Sequence, residues 1–155
     1  MNEPNLDNGY LALHAELLIS SYRRLTGKDL VENGLAGIEK YQTLYDAPFG
    51  VVSHNTAEDP IFNYGNRTAL GLFQMDWSDF VSLPSRKSAE PVNRDERHRL
   101  LDRVTRDGFI DDYRGIRISS TGIRFWIEDA TVWNLINEND EYCGQAAVFY
   151  KWTNL

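Results

Sequence analysis

The chain has 155 residues and a mass of 17.8 kDa, with 42% hydrophobic and 25% charged residues, which suits one domain with its own core. Its net charge of −7 and pI near 4.9 exclude broad, non-specific nucleic-acid binding, because phosphate contacts need clustered cations. The single Cys143 excludes an intramolecular disulfide framework, no apolar run reaches membrane-spanning length, and the polar opening MNEPNLDNGYLALHAELL does not read as a secretory signal, so the expected compartment is the cytoplasm.

From about Tyr10 to Thr26, Leu11, Leu18, Tyr22 and Leu25 recur at helical spacing, and Gly27 offers a stop. In GLAGIEKYQTLYD a second helix is predicted, with Leu35, Ile38, Gln42 and Tyr45 on one stripe, Leu44 alongside, and Pro48 ending it. Residues 49–53 and 61–64 read as two short strands around a turn at residues 57–60. The stretch IFNYGNRTALGLF then changes period abruptly. Asn66 is placed to cap a helix carrying Ala69, Leu70 and Phe73 on one face. Asp76 caps another short helix, with Met75 and Phe80 as a hydrophobic staple and Trp77, Phe80 and Val81 facing inward, until Pro84 stops it.

A longer helix is expected from Asn93, with Glu96 as capping-box partner, an apolar stripe of Leu100, Leu101 and Val104, and Gly108 at its close. The rest reads as β: a strand over 109–119, a turn at Ser120-Thr121-Gly122, a strand over 123–136 with a bulge near Asp129-Ala130, a polar turn at 137–141, and a last strand over 142–152. Neither face of that last strand is polar, so both faces of the sheet need cover. The helices between strands two and three supply one cover. The N-terminal helices or a second subunit supply the other, and a homodimer is expected.

Two strands, a cluster of short helices, one longer helix and three long strands, over Phe49 to Trp152, is an element order that resembles the PAS fold. The segment GIRISSTG (Gly115 to Gly122), followed by Glu128, Ala130, Trp133, Asn137, Phe149 and Trp152, resembles the MEKHLA domain in its free-standing form, as does the block from Asp59 through SRKSAEPVNRDER. The MEKHLA domain is a PAS-related module found at the C-terminus of plant class III homeodomain–leucine zipper factors. The resemblance implies an α+β fold, with a five-stranded antiparallel sheet in the order 2-1-5-4-3, short helices on one face and N-terminal helices added. It implies a regulatory sensor or dimerisation role and brings no catalytic residues. No homeodomain or zipper precedes the block in this sequence, so DNA binding is not carried over. The expected division is 1–46 as a helical extension and 47–155 as the PAS-like domain.

Asn66, Phe73, Trp77, Arg86 and Ser88 are the candidates to line a pocket between sheet and short helices, with Arg86 and Ser88 offering donors to a small anion or bracing their own loop. The arginines of the long helix (Arg94, Arg97, Arg99, Arg103 and Arg106) form either an anionic-partner surface or a solvated face stitched by Asp95–Arg99 and Asp102–Arg106 pairs. No cofactor is predicted. A non-covalent flavin is the one to test, with Gln145 on the strand where flavin-binding relatives carry a glutamine and Trp77, Trp126 and Trp133 as an aromatic wall. Photoadduct chemistry lacks a cysteine in LPSRKSAEP, and Cys143 reads as a packed hydrophobe. Haem ranks below flavin, because His98 has no second ligand, and His14 and His54 have no metal-ligand spacing.

Asn66-Arg67-Thr68 matches a glycosylation acceptor, but capping is the expected role. No nucleophile, zinc or nucleotide motif occurs, and Asp111-Asp112 on a strand point to opposite faces. The expectation is therefore a non-catalytic sensory or regulatory module, with an unknown small molecule or signalling protein as partner, and neither nucleic acid nor membrane. The competing readings are a cofactor-independent isomerase or dehydratase on a small α+β cone, and a pure interaction domain.

Overall fold

The computed structural model describes residues 2–90 and 94–155, with Arg97 described by its backbone only. The first helix, α1, spans Ala12–Thr26 and ends on Gly27, whose N–H donates to Arg23 O. It starts two residues later than its apolar stripe suggests, because Tyr10 and Leu11 both take left-handed backbone angles that a helix cannot contain. α2 spans Ile38–Tyr45 and buries Leu44 and Tyr45, while Ile38 stays 43% exposed. Its buried stripe is thus rotated from the one read in the sequence.

The strands are β1 (Gly50–His54), β2 (Phe62–Gly65), β3 (Phe109–Ile118), β4 (Arg124–Ile136), β5 (Tyr142–Phe149) and β6 (Lys151–Asn154). Between β2 and β3 lie α3 (Arg67–Phe73), α4 (Trp77–Phe80), a 3-10 turn over Ser85–Ser88 and the long α5 (Arg94–Asp107). The proposed Asn93 cap of α5 lies outside the described residues. The sheet runs β2-β1-β5-β4-β3, antiparallel throughout, as the family resemblance implied, with one addition. The last strand breaks at Tyr150, and its second part, β6, pairs with the first half of β4. The pairing register carries through the break, from Thr131↔Val148 to Glu128↔Lys151. On β4 the break faces Asp129, which sits at φ 51 and bends that strand where a bulge was expected.

The two sheet faces carry different cover. α3, α4 and α5 cover the inner face, where Leu100 and Val104 of α5 pack on Ile127, Ala130, Val132 and Phe149. α1 covers the outer face, burying Leu18, Ile19 and Tyr22, with Tyr22 edge-on to Trp133 at 4.9 Å between centroids. Ser21 pins it there: its hydroxyl donates to Ile136 O (3.1 Å) and accepts from Ile136 N (2.9 Å). The doubly apolar last strand is therefore covered within one chain, and it supplies no reason of its own for a second subunit. α1, α2 and the outer face share one core cluster, which continues past the β2 edge to Phe62, Phe73, Phe80 and Phe125. Phe62 stacks on Phe80 at 4.3 Å and Phe73 meets Phe125 edge-on at 5.4 Å.

Candidate functional site: an apolar cavity under the long helix

The inner face and its helices enclose a cavity of about 60 Å³. Its walls come from the sheet and the inner helices: Val52 and His54 of β1, Phe62 of β2, Phe73 of α3, Ser88 of the 3-10 turn, Leu100 and Leu101 of α5, and Val132, Ala147 and Phe149 of the central strands. Tyr113 and Arg117 of β3 complete them. Of the sequence candidates, the structure brings Phe73, Ser88 and Gln145 to this wall. Phe73 is 2% exposed, and Ser88 donates its hydroxyl to Ser85 O at 2.7 Å.

The other candidates lie elsewhere. Asn66 is wholly buried and all its side-chain hydrogen-bonding capacity is taken. Oδ1 accepts from Val51 N (3.0 Å) and Ala69 N (3.1 Å), and Nδ2 donates to Phe49 O (2.7 Å) and Leu44 O (3.2 Å). The expected cap of α3 is present, and the same amide also ties the end of α2 to the start of β1. Trp77 packs edge-on to Tyr64 at 5.9 Å. Arg86 is exposed and its Nε reaches both carboxylate oxygens of Asp59, at 3.1 and 3.2 Å, bracing its loop. Trp126 lies beneath the Arg114 guanidinium, 3.7 Å from its ring centroid, and Trp133 is on the outer face beneath α1. The three tryptophans form no common wall.

Gln145 points inward, but its amide serves α5. Nε2 donates to Leu101 O (3.2 Å), Thr105 Oγ1 (3.0 Å) and Asn134 Oδ1 (3.1 Å), sharing two hydrogens among three acceptors. Asn134 in turn donates to Val104 O at 3.0 Å. The pair holds α5 on the sheet as a satisfied polar network, which is the condition for burying such groups without penalty. A flavin does not fit these residues. The cavity is about a fifth of the smallest volume usual for a small-molecule site, roughly 300 Å³, and the amide of the glutamine that would face the ring is bonded to Leu101 O and Thr105 Oγ1 of the helix. Haem does not fit either, since the His98 side chain is 80% exposed, 3.7 Å from Asp102. Cys143 is half-buried, its thiol donating to Glu141 O.

Among the described residues, the ion pairs on α5 itself are His98–Asp102 and Arg106–Asp107, in place of the two i,i+4 pairs anticipated. Also among them, no cluster of His, Cys, Asp and Glu is arranged to hold a metal ion, and no helix is long and apolar enough to cross a membrane.

A second polar group of side chains sits under α1. Ser53 points to the outer face, bonded to His14 Nε2 at 2.9 Å and donating to Asn63 Oδ1 at 2.6 Å. The His14 ring stacks on Tyr64, centroids 5.6 Å apart, and burial pushes its pKa down to about 4. Burial likewise pushes the Tyr64 phenol far up. A register shift between Ser53 and His54 sets Ser53 opposite Tyr64 and His54 opposite Phe62, so the β1–β2 pair presents Ser53 outward and His54 to the cavity.

The segment GIRISSTG acquires a structural meaning. Ser119 and Ser120 donate to Gln74 Oε1 (2.7 Å) and Gln74 O (2.6 Å), Thr121 also bonds Gln74, and Ser120 N reaches Phe73 O at 3.0 Å. The β3–β4 turn is thereby fastened to the end of α3. The MEKHLA domain family matches residues 12–154.

The chain belongs to the MEKHLA family. The match takes in α1, so the outer-face helix lies within the family's boundaries. Solved structures with a similar fold include the PAS domain of a protein from Colwellia psychrerythraea (TM-score 0.61, 13% identity, 74% of this chain and 92% of that one). The light-state dimer of the fungal blue-light photoreceptor Vivid aligns with TM-score 0.60 at 11% identity, over 87% of this chain and 93% of that one. An RNA-binding light-oxygen-voltage receptor aligns with TM-score 0.62 at 15% identity, over 78% of this chain but only 36% of the receptor. At these identities the likeness shows the fold alone, and the fold of this MEKHLA protein is that of a PAS domain. No curated protein matches it. Sequence reasoning missed His54, Tyr113 and Arg117 in the wall. For Tyr113 and Arg117 the signal was their two-residue spacing about Gly115, on one face of a strand.

Proposed function

We propose that this MEKHLA-family protein is a non-catalytic, cytoplasmic sensory or regulatory module that takes a small molecule into the cavity between the sheet and α5. The observation that carries this is the cavity itself, enclosed by residues from β1 to β5 and capped by the helix that Gln145 and Asn134 hold in place. An occupant there touches both the sheet and α5, so its arrival can bias how α5 sits. The cone-enzyme alternative is disfavoured by the wall, which contains no Asp or Glu among the described residues. Ser53, hydrogen-bonded to His14, is 1% exposed on the opposite face and donates to Asn63, so it offers no nucleophile to a substrate.

Filling the cavity tests this. Ala147→Leu adds three carbons to the wall and is expected to abolish responses to small ligands while keeping the fold. A true ligand at ten times its Kd adds about 1.4 kcal/mol to the wild-type protein, about 4 °C in the unfolding midpoint. Native mass spectrometry of the purified protein reports any species carried along. Wild-type protein that carries nothing and responds to nothing, in a library of small amphiphiles, leaves the pure interaction domain in its place.

A homodimer is favoured by a separate observation: Leu13 of α1 is 93% exposed, on a surface it shares with Leu17 and Ile136. Leu13→Glu is expected to shift a wild-type dimer to monomer in light scattering at matched concentration. A wild type that is monomeric at high micromolar concentration removes this reading.

A further inference from the structure

The cavity wall is almost wholly apolar, yet it contains a cation. Arg117 is the only Lys, Arg, Asp or Glu among the described wall residues. It is half-buried, and no carboxylate among the described residues lies within ion-pair distance of it. One of its five N–H donors reaches Ile116 O, at 2.9 Å. The guanidinium carbon stands 5.3 Å from the centroid of the Tyr113 ring. That placement is built by Gly115, which lies between them on the same face of β3. Tyr113 folds flat over Gly115, where a Cβ would collide with the Tyr113 hydroxyl. The hydroxyl end of the ring is thereby laid toward Arg117. A phenol O–H and a planar fork of N–H donors thus lie side by side in one wall of the cavity.

A half-buried guanidinium with most of its N–H donors unused, and no carboxylate beside it among the described residues, is suited to hold an anion. The shape of the hole limits which anion. At about 60 Å³, roughly a fifth of the smallest volume usual for a small-molecule site, the hole suits only a short tail. Val52, Ile127, Val132, Ala147 and Phe149 offer that tail no polar side chain.

We infer that the cavity is a site for a short, unbranched monocarboxylate, its tail among these walls and its carboxylate between Arg117 and Tyr113. This rests on the proposed small-molecule function and adds the chemical class of the ligand. Arg117 supplies a bidentate donor face, Tyr113 a third donor, and Gly115 the clearance that lets the two meet. The carboxylate stays at the half-exposed edge of the wall, which spares it full desolvation. A longer chain has no room, and a small inorganic anion leaves the apolar hole unfilled.

The test titrates the full-length protein with sodium propionate at constant ionic strength, followed by ligand-observed NMR and by the unfolding midpoint. Propionamide, sodium hexanoate and sodium chloride serve as controls. Saturable propionate binding in the millimolar range is expected, with the three controls showing none. Arg117→Met keeps the apolar stem, and is expected to weaken propionate binding about tenfold or more without unfolding the domain. Arg117→Lys, which retains the charge but loses the fork, is expected to fall between. Propionamide binding as well as propionate, or an Arg117→Met variant with unchanged affinity, overturns the carboxylate inference and leaves the small-molecule cavity standing. Chloride competing fully with propionate also overturns it, by assigning the site to simple anions. Absence of binding by propionate, propionamide and hexanoate alike, in a folded protein, overturns the inference and counts against the cavity as a ligand site at all.

Discussion

Asn66→Ala is expected to lower the free energy of unfolding by about 3–6 kcal/mol, a large share of the roughly 5–15 kcal/mol that holds a domain together. The estimate follows from what the truncation strands. Val51 N–H and the Phe49 carbonyl lose their partner and Ala69 N–H loses its cap, while the Leu44 carbonyl keeps the N–H groups of Asp46 and Ala47. Each buried group left unpaired costs about 1–3 kcal/mol, and the cap alone about 1 kcal/mol. The contrast is Asp76→Ala, which removes an exposed cap on Asp79 N and is expected to cost far less. Asn66→Asp separates the two halves of the amide. It keeps both accepting bonds but sets a carboxylate against Phe49 O and Leu44 O, so it is expected to be at least as damaging as alanine at neutral pH. Urea unfolding of the three variants checks the order. A loss below about 1 kcal/mol for Asn66→Ala would mean that water takes over the amide's role.

Acid should weaken the protein through His14. The unfolded chain binds this proton near the ordinary value of 6.5, whereas the folded imidazole, buried against Tyr64, binds it only at about 4. Between those values the unfolded state holds more protons, so lowering the pH favours unfolding. The stability is fully present above about pH 6.5 and declines through the window down to about pH 4. At 1.36 kcal/mol per pH unit, the loss reaches about 3 kcal/mol. His14→Gln preserves a donor for Ser53 without the titration. The difference in pH dependence between it and wild type isolates this residue from the carboxylates that protonate in the same range. Parallel stability–pH curves for the two proteins, from pH 7 to pH 4, would remove His14 as the cause.

These two residues also show what the sequence discloses and what it withholds. That Asn66 caps a helix follows from local pattern, since a cap bonds a neighbour three residues on. Its links to Leu44, Phe49 and Val51 do not follow, because those partners are 15 to 22 residues away and an asparagine looks the same whichever carbonyl it meets. The strand order came from the element order and family resemblance. The break at Tyr150 that separates β6 did not, since the alternation runs through it unchanged. Periodicity likewise announced that α1 has an apolar face, and that both sides of the last strand are covered, but not which surface meets which. Hence the outer cover, left open between the N-terminal helices and a second subunit, belongs to α1. Hence also Trp133, read as part of a pocket wall, lies beneath that helix. Size was equally hidden. Aromatic spacing marks Phe73 as inward-facing, but how far side chains close over a cavity depends on packing from eight different elements.

The central strand of the sheet, β5, is the last but one of its strands in chain order, and this shapes how the domain can assemble. β1 and β4 do not pair with each other, so the β1–β2 hairpin and the β3–β4 hairpin are joined only once β5 enters between them. Val51 meets Val148 across almost a hundred residues of chain. Closing such long loops late makes for slow folding, and for a lengthy interval in which two hairpins expose unpaired edges. On the ribosome the domain therefore cannot complete itself from its N-terminal end. Loss of the C-terminal segment would not trim the sheet but leave it in two pieces.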